Sequence, residues 1–413
     1  MKRLLAPTRV LLRERAFVVV LGCCLLLGLS GSFVSPFLSM FGTLEVKMGP
    51  LQFGVFMTIT SSSAIVVSTV LARWSDTHLS RRNLLLLGSV GGVLGYIGYA
   101  LVRDPLWLTI IGSTVLALSA VTFSQVFAYA RELLGQANVP ANEAPLYMNF
   151  FRMSIALAWT VGPALASWVM VLSSYRGMFL VAALLYLAFM AVVARWIPDA
   201  PPPGAQAAAA RTPLRDSLRR PDLLAYFAGF VVISACTTVG MMNLPLLVLQ
   251  TLQGTPHDVG IIYSVAPVFE LPLMFYFGLL ASTGDQTRLI RRGAIIAIAY
   301  YALLALVRMP WQVYPVQILG AAMTAINSGV AITFFQNYLP GQPGTATNLY
   351  ANALRIGSTA GYLLFGALAA GLGYRGVFVV CAVLSAGTLL LFLAQRRRAQ
   401  LQGQALVSPA EAA

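Results

Sequence analysis

Apolar runs long enough to cross a bilayer recur along the whole chain, and nothing else in the sequence restricts its fold so severely. Runs of ~20 apolar residues span a membrane as helices. Twelve such segments can be read: 16–41, 50–72, 84–102, 105–131, 145–172, 175–196, 223–251, 256–281, 292–308, 311–338, 346–372 and 374–394. Lipid offers no hydrogen bonds to an open backbone, so these runs must be helical. Composition closes the alternatives. Hydrophobic residues make up 58% and charged residues 10% of the 413, against ~45–50% and ~25% in soluble chains. Too few charges remain to cover a water-soluble surface, and disorder needs a far less apolar chain. The expected fold class is an all-α membrane protein with twelve transmembrane helices in two pseudo-symmetric six-helix bundles.

The formal charge of +14 does not point to nucleic acid. With the N-terminus inside, twenty of the 27 basic residues fall in inside loops and tails, five fall outside, and Arg152 and Arg355 lie within segments. That asymmetry is the one membrane insertion imposes. It predicts a multi-pass protein with both termini cytoplasmic, in contact with membrane lipids. The first segment reads as an uncleaved anchor, because the apolar run continues past the lipoprotein-like Val20-Leu21-Gly22-Cys23. Cys23, Cys24, Cys236 and Cys381 sit inside apolar segments without metal-type spacing and read as small buried hydrophobes.

Two halves share residues in the same order. Leu146-Tyr147-x-Asn149-x-x-Arg152 returns as Leu349-Tyr350-x-Asn352-x-x-Arg355. Tyr175-Arg176-Gly177-x-Phe179 returns as Tyr374-Arg375-Gly376-x-Phe378, and Pro50-x-x-x-Gly54 as Pro256-x-x-x-Gly260. The offsets are 203, 199 and 206, so a six-helix unit has been duplicated. The expected organisation is an N-terminal bundle over 1–196, a cytoplasmic linker over 197–222, a C-terminal bundle over 223–394 and a tail over 395–413. The linker carries Pro201-Pro202-Pro203-Gly204, an Ala run and four arginines. Parallel six-helix repeats place a substrate site between the halves near the midplane.

Charges inside apolar segments are costly, at ~2.5–3.5 kcal/mol each on insertion scales, so they line cavities or find partners. Three stand out: Arg152, Arg355 and Glu270. Arg152 and Trp159 are seven residues apart and share a helix face, with Asn149 near the same stripe. A guanidinium fork bonds two hydroxyls, and an indole packs on the apolar face of a pyranose. Asn352, Arg355 and Tyr362 offer a second set in the other repeat. Asn243 precedes Leu244-Pro245, where a helix break would favour a place at the site. These seven are the candidate substrate ligands for a sugar or glycoside. Glu270 is the candidate proton-coupling group, with a permanent Arg355 ion pair as the rival reading. No catalytic motif of the zinc-protease, serine-hydrolase or phosphate-loop type occurs, and neither enzyme activity nor a metal or cofactor is expected. Both histidines, His78 and His257, are expected in loops.

The loop after the second segment, Ala72-Arg73-Trp74-Ser75-Asp76-Thr77-His78-Leu79-Ser80-Arg81-Arg82, and its echo from Gly284-Asp285 to Arg288, Arg291 and Arg292 resemble the signature loop of the major facilitator superfamily. Leu79 departs from the glycine usual there. Ser35-Pro36-Phe37-Leu38-Ser39, Ala128-Tyr129-Ala130-Arg131-Glu132, and Phe151-Arg152-x-Ser154-x-Ala156-Leu157-Ala158-Trp159-x-x-Gly162-Pro163 are similar to bacterial sugar efflux transporters within it. The resemblance implies a monomeric exporter of sugars or glycosides in the bacterial inner membrane, working by alternating access against a proton flow. It also implies a gate around Asp76, Arg81, Arg82 and Asp285. Arg131 and Glu132 either reach the interface, or Glu132 holds Arg152 in one state. A multidrug exporter, a sugar importer or a non-transporting sensor of the same fold remain as alternatives.

Overall fold

The computed structural model describes residues 15–75, 79–137, 139, 144–199, 221–283, 285–339 and 343–407, and these are helical with short connections and no strand. The helices are α1 (Arg15–Glu45), α2 (Pro50–Ser75), α3 (Arg81–Leu101), α4 (Pro105–Gln136) and α5 (Ala144–Trp196). They continue as α6 (Pro221–Leu246), α7 (Pro256–Thr283), α8 (Gln286–Leu306), α9 (Pro310–Tyr338) and α10 (Pro343–Val407). Ten stretches among the described residues are long and apolar enough to cross a membrane. Leu94, Leu172 and Leu184 are more than half exposed on these helices, a surface that lipid covers and water would not tolerate.

Ten stretches are compatible with twelve crossings because two of them are double. A straight helix of 53 residues would measure about 80 Å, far beyond a ~30 Å hydrocarbon core. α5 is broken at Ser174 (φ 60°, ψ −174°) and α10 at Gly373 (φ 65°, ψ 171°). The sequence segments part at the same two places. The breaks are 199 residues apart, which is the offset of the repeated Tyr-Arg-Gly-x-Phe run that follows each. The repeat is written into other local geometry too. π-turns close the first helix of each half at Phe41–Glu45 and Leu247–Thr251. Lys47 and Gln253 then turn the chain with φ of 61° and 57°.

The chain falls into two compact units. Among the described residues, one comprises those up to 199 with 254–267, and the other those of 221–253 with 268–407. In the first, Phe17, Cys23, Leu85, Val126, Tyr147 and Phe189 share a core. The second has its own, around Tyr226, Phe230, Phe335, Tyr350 and Phe392. Tyr147 and Tyr350, matched in the sequence repeat, anchor corresponding cores. All four cysteines are buried and free. His257, expected in a loop, is instead the second residue of α7, because Pro256 suits the first helical position. Its Nδ1 lies 3.2 Å from the Ser167 hydroxyl, and its ring 4.5 Å from that of Trp168. His78 lies outside the described residues.

Candidate functional site

Within the first unit, a cavity of about 840 Å³ opens where α3 begins, α4 ends and α5 begins. Helical periodicity explains its walls. On α4, Ser124, Ala128 and Arg131 recur at intervals of four and three, so they share one face. On α5, Met148, Arg152 and Ile155 do the same. Arg152 stands eight residues into α5, roughly 12 Å from its start. Phe123 and Phe127 add aromatic surface, their ring centroids 5.0 Å apart.

Close packing sets the rotation of α5. A β-carbon on Gly28 of α1 would stand 2.8 Å from Ala158 Cβ and 3.1 Å from Ile155 Cα, so only glycine allows the approach. Beside it, the Ser32 hydroxyl donates to the Ala158 carbonyl at 3.1 Å, satisfying in lipid what water would satisfy elsewhere. The second unit repeats the device, with Ser234 donating to Leu354 O at 2.9 Å.

Charge at the cavity is organised by Arg81. Ser80 caps α3 by accepting from Asn83 N at 3.3 Å, which puts Arg81 in the first helical turn. A cation there opposes the helix dipole. Glu132 on α4 compensates: Arg81 Nε donates to its Oε1 at 2.6 Å, and Arg81 Nη1 donates to Gln125 Oε1 at 2.8 Å. Gln125 is buried. Glu132 therefore serves Arg81 here, not Arg152. Arg82 turns away and donates to Ala194 O at 2.8 Å. Arg131 and Arg152 are exposed, and among the described residues neither has a carboxylate partner.

The cavity thus brings together Arg81, Arg131, Glu132 and Arg152 from the sequence-derived candidates. Trp159 is half-buried and Asn149 exposed, and neither lines it. In the second unit, Arg355 is exposed on α10, with Asn352 and Tyr362 half-buried on the same helix. Glu270 is half-buried on α7 and makes no ion pair with Arg355, contrary to the permanent-pair reading. Asn243 is fully buried. Its amide donates to Tyr374 O at 2.8 Å, next to the break at Gly373, so it supports the fold at that corner. Asp76 lies outside the described residues. Asp285 is the N-cap of α8, accepting from Thr287 N at 2.9 Å and Arg288 N at 3.2 Å, with Arg291 4.0 Å away. Burial draws its carboxyl upward, but Thr287, the two backbone amides and Arg291 outweigh this and hold it below the ordinary value. No cluster of three or more metal-ligating side chains occurs among the described residues.

Sequence reasoning missed Phe123, Ser124, Phe127, Met148 and Ile155. The signal was present as a small-and-polar stripe on α4 facing a long-side-chain stripe on α5, but it carries no intramembrane charge beyond Arg152.

Residues 20–358 match the family described as Major Facilitator Superfamily. A putative sugar efflux transporter of Deinococcus radiodurans is 35% identical over 91% of this chain and 97% of its own length. Sugar efflux transporter A of Dickeya chrysanthemi is 29% identical over 91% and 94%. Sugar efflux transporter B of Salmonella typhimurium is 29% identical over 93% and 96%. Among solved structures, the nucleoside transporter NupG superposes with a TM-score of 0.75 at 14% identity, covering 92% of this chain and 99% of the other. That similarity bears on the fold alone.

Proposed function

The chain belongs to the Major Facilitator Superfamily, and we propose that it exports sugars or sugar-like glycosides across the bacterial inner membrane by alternating access, coupled to inward proton flow. It is a multi-pass membrane transporter and not an enzyme. The observation that carries the sugar reading is the cavity of the first unit. Sugars present hydroxyls at their edges and C–H groups on their faces. The guanidinium fork of Arg152 matches the first, and Phe123 and Phe127 match the second. The volume of about 840 Å³ falls in the range of ~300–1,000 Å³ common for small-molecule sites. The relatives named sugar efflux transporters support the same reading.

Arg152 acts as the principal hydroxyl ligand of the first half, with Asn149 and Trp159 beside it, and Arg355 as that of the second, with Asn352 and Tyr362. Glu270 carries the coupling proton. Arg81, Glu132 and Arg131 belong to the gate, together with Asp76, Arg82 and Asp285. The transporter works as a monomer with both termini cytoplasmic.

A multidrug exporter is the second reading, favoured by the apolar share of the cavity wall at Phe123, Phe127, Met148 and Ile155. Counterflow in proteoliposomes separates the two. Labelled lactose, glucose and a thiogalactoside should exchange, and a panel of amphiphilic drugs should neither exchange nor compete. Drug exchange without sugar exchange reverses the assignment.

A further inference from the structure

Three guanidinium groups and one carboxylate face the cavity of the first unit. The carboxylate of Glu132 is spent on Arg81 at 2.6 Å. Arg131 and Arg152 therefore bring two permanent positive charges to the same space, without an anionic partner among the described residues. Arg131 sits on α4 and Arg152 on α5, so the pair brackets the cavity from two helices. A guanidinium stays charged at any physiological pH, so it cannot relieve the imbalance by losing a proton. Neutral hydroxyls can bond to it but bring no counter-charge. A carboxylate or phosphate oxygen satisfies both the hydrogen-bond fork and the charge.

Resting on the sugar reading above, we infer that the preferred solutes are anionic sugars, carrying a carboxylate or a phosphate on a sugar-sized frame. Neutral sugars bind the same cavity more weakly. The aromatic pair Phe123 and Phe127 receives the ring, and the anionic group sits between Arg131 and Arg152.

The full-length protein in zwitterionic liposomes provides the test. Counterflow is measured for labelled lactose, gluconate, galacturonate and glucose 6-phosphate at equal concentrations. A carboxylate or phosphate adds charge pairing to the hydrogen bond that a hydroxyl already makes to a guanidinium, so the acids or the phosphate should exchange at about tenfold lower concentration than lactose. Which anionic sugar exchanges best distinguishes carboxylate from phosphate. Arg131→Gln and Arg152→Gln should each lower the ratio of anionic to neutral exchange by about tenfold, while Arg152→Lys, which keeps the charge, should restore much of it. Exchange of lactose with equal or weaker exchange of all three anionic sugars overturns the inference and leaves the sugar reading intact. Failure of every sugar, neutral or anionic, overturns the sugar reading itself. If adding phosphatidylglycerol to the liposomes abolishes the anionic preference, the two arginines hold a lipid headgroup and the inference is likewise overturned.

Discussion

Arg81 Nε and Glu132 Oε1 lie 2.6 Å apart, tying the first turn of α3 to the last turns of α4 at the mouth of the cavity. Both side chains are largely shielded, at 16% and 36% exposure. The pair should couple energetically as well as geometrically. Single replacements Arg81→Ala and Glu132→Ala each destabilise the folded protein. The double replacement should cost less than their sum by about 0.5–2 kcal/mol. A double-mutant cycle from unfolding in detergent reads this coupling, and strict additivity would refute it.

Ser174 and Gly373 occupy equivalent corners with almost the same positive φ. That backbone region is close to glycine-only and costs other residues of order 1–3 kcal/mol. Ser174→Gly should therefore raise stability by about 1 kcal/mol, and Gly373→Ser should lower it by a similar amount. Thermal unfolding of the two variants side by side checks the opposite signs.

Gly28 lets α1 approach the α5 segment that carries Arg152 and Ile155. Gly28→Val forces the helices apart at a cost of about 1–3 kcal/mol, and should weaken sugar exchange even at temperatures where the protein stays folded. A β-carbon added at Gly22 would meet nothing within 4 Å, so Gly22→Ala serves as the control that should leave both measurements near wild type.

Asp285 caps α8, and its removal in Asp285→Ala should cost about 1 kcal/mol while Asp285→Asn, still a good cap, costs less. Its carboxyl titrates below the ordinary range in the folded protein. The charge-dependent part of its stabilisation is thus present above the unfolded value, about 3.9, and is lost as pH falls through the lower folded value. Stability measured between neutral pH and the acid limb should fall less steeply for Asp285→Asn than for wild type.

Glu270 makes no ion pair with Arg355, which leaves it available for the proposed proton cycle. Glu270→Gln should preserve labelled-sugar counterflow, which needs no net proton movement, and abolish accumulation driven by an imposed pH gradient. Vesicles of the variant that accumulate sugar normally would remove Glu270 from the coupling step.

The two helix breaks were legible in the sequence because a corner between apolar runs is a local event. The turn at Ser174 or Gly373 and the Tyr-Arg-Gly-x-Phe run after it are contiguous residues. The arginine-lined cavity was half legible. Arg152 announced itself as a charge within an apolar run, and Arg131 and Glu132 as a charged pair ending another. The partner of Glu132 was not legible, since Arg81 lies 51 residues away on a different helix. Asn243 looked like a cavity residue beside Leu244-Pro245, whereas its amide meets the Tyr374 carbonyl 131 residues on. Trp159 shares the Arg152 stripe by spacing, but it is not among the residues that line the cavity.

Apolar run length, the order of repeated motifs and the residues that cap or turn each helix are properties of short stretches, so the chain alone determined the helical membrane fold and its duplication. Which face of each helix looks inward, and therefore which arginine meets a carboxylate and which stands unpaired, was decided by contacts between distant helices. Gly28 against Ala158, Ser32 on the Ala158 carbonyl and Arg81 on Glu132 set those rotations. A helix apolar on every side carries little record of its own orientation, so only packing could supply it.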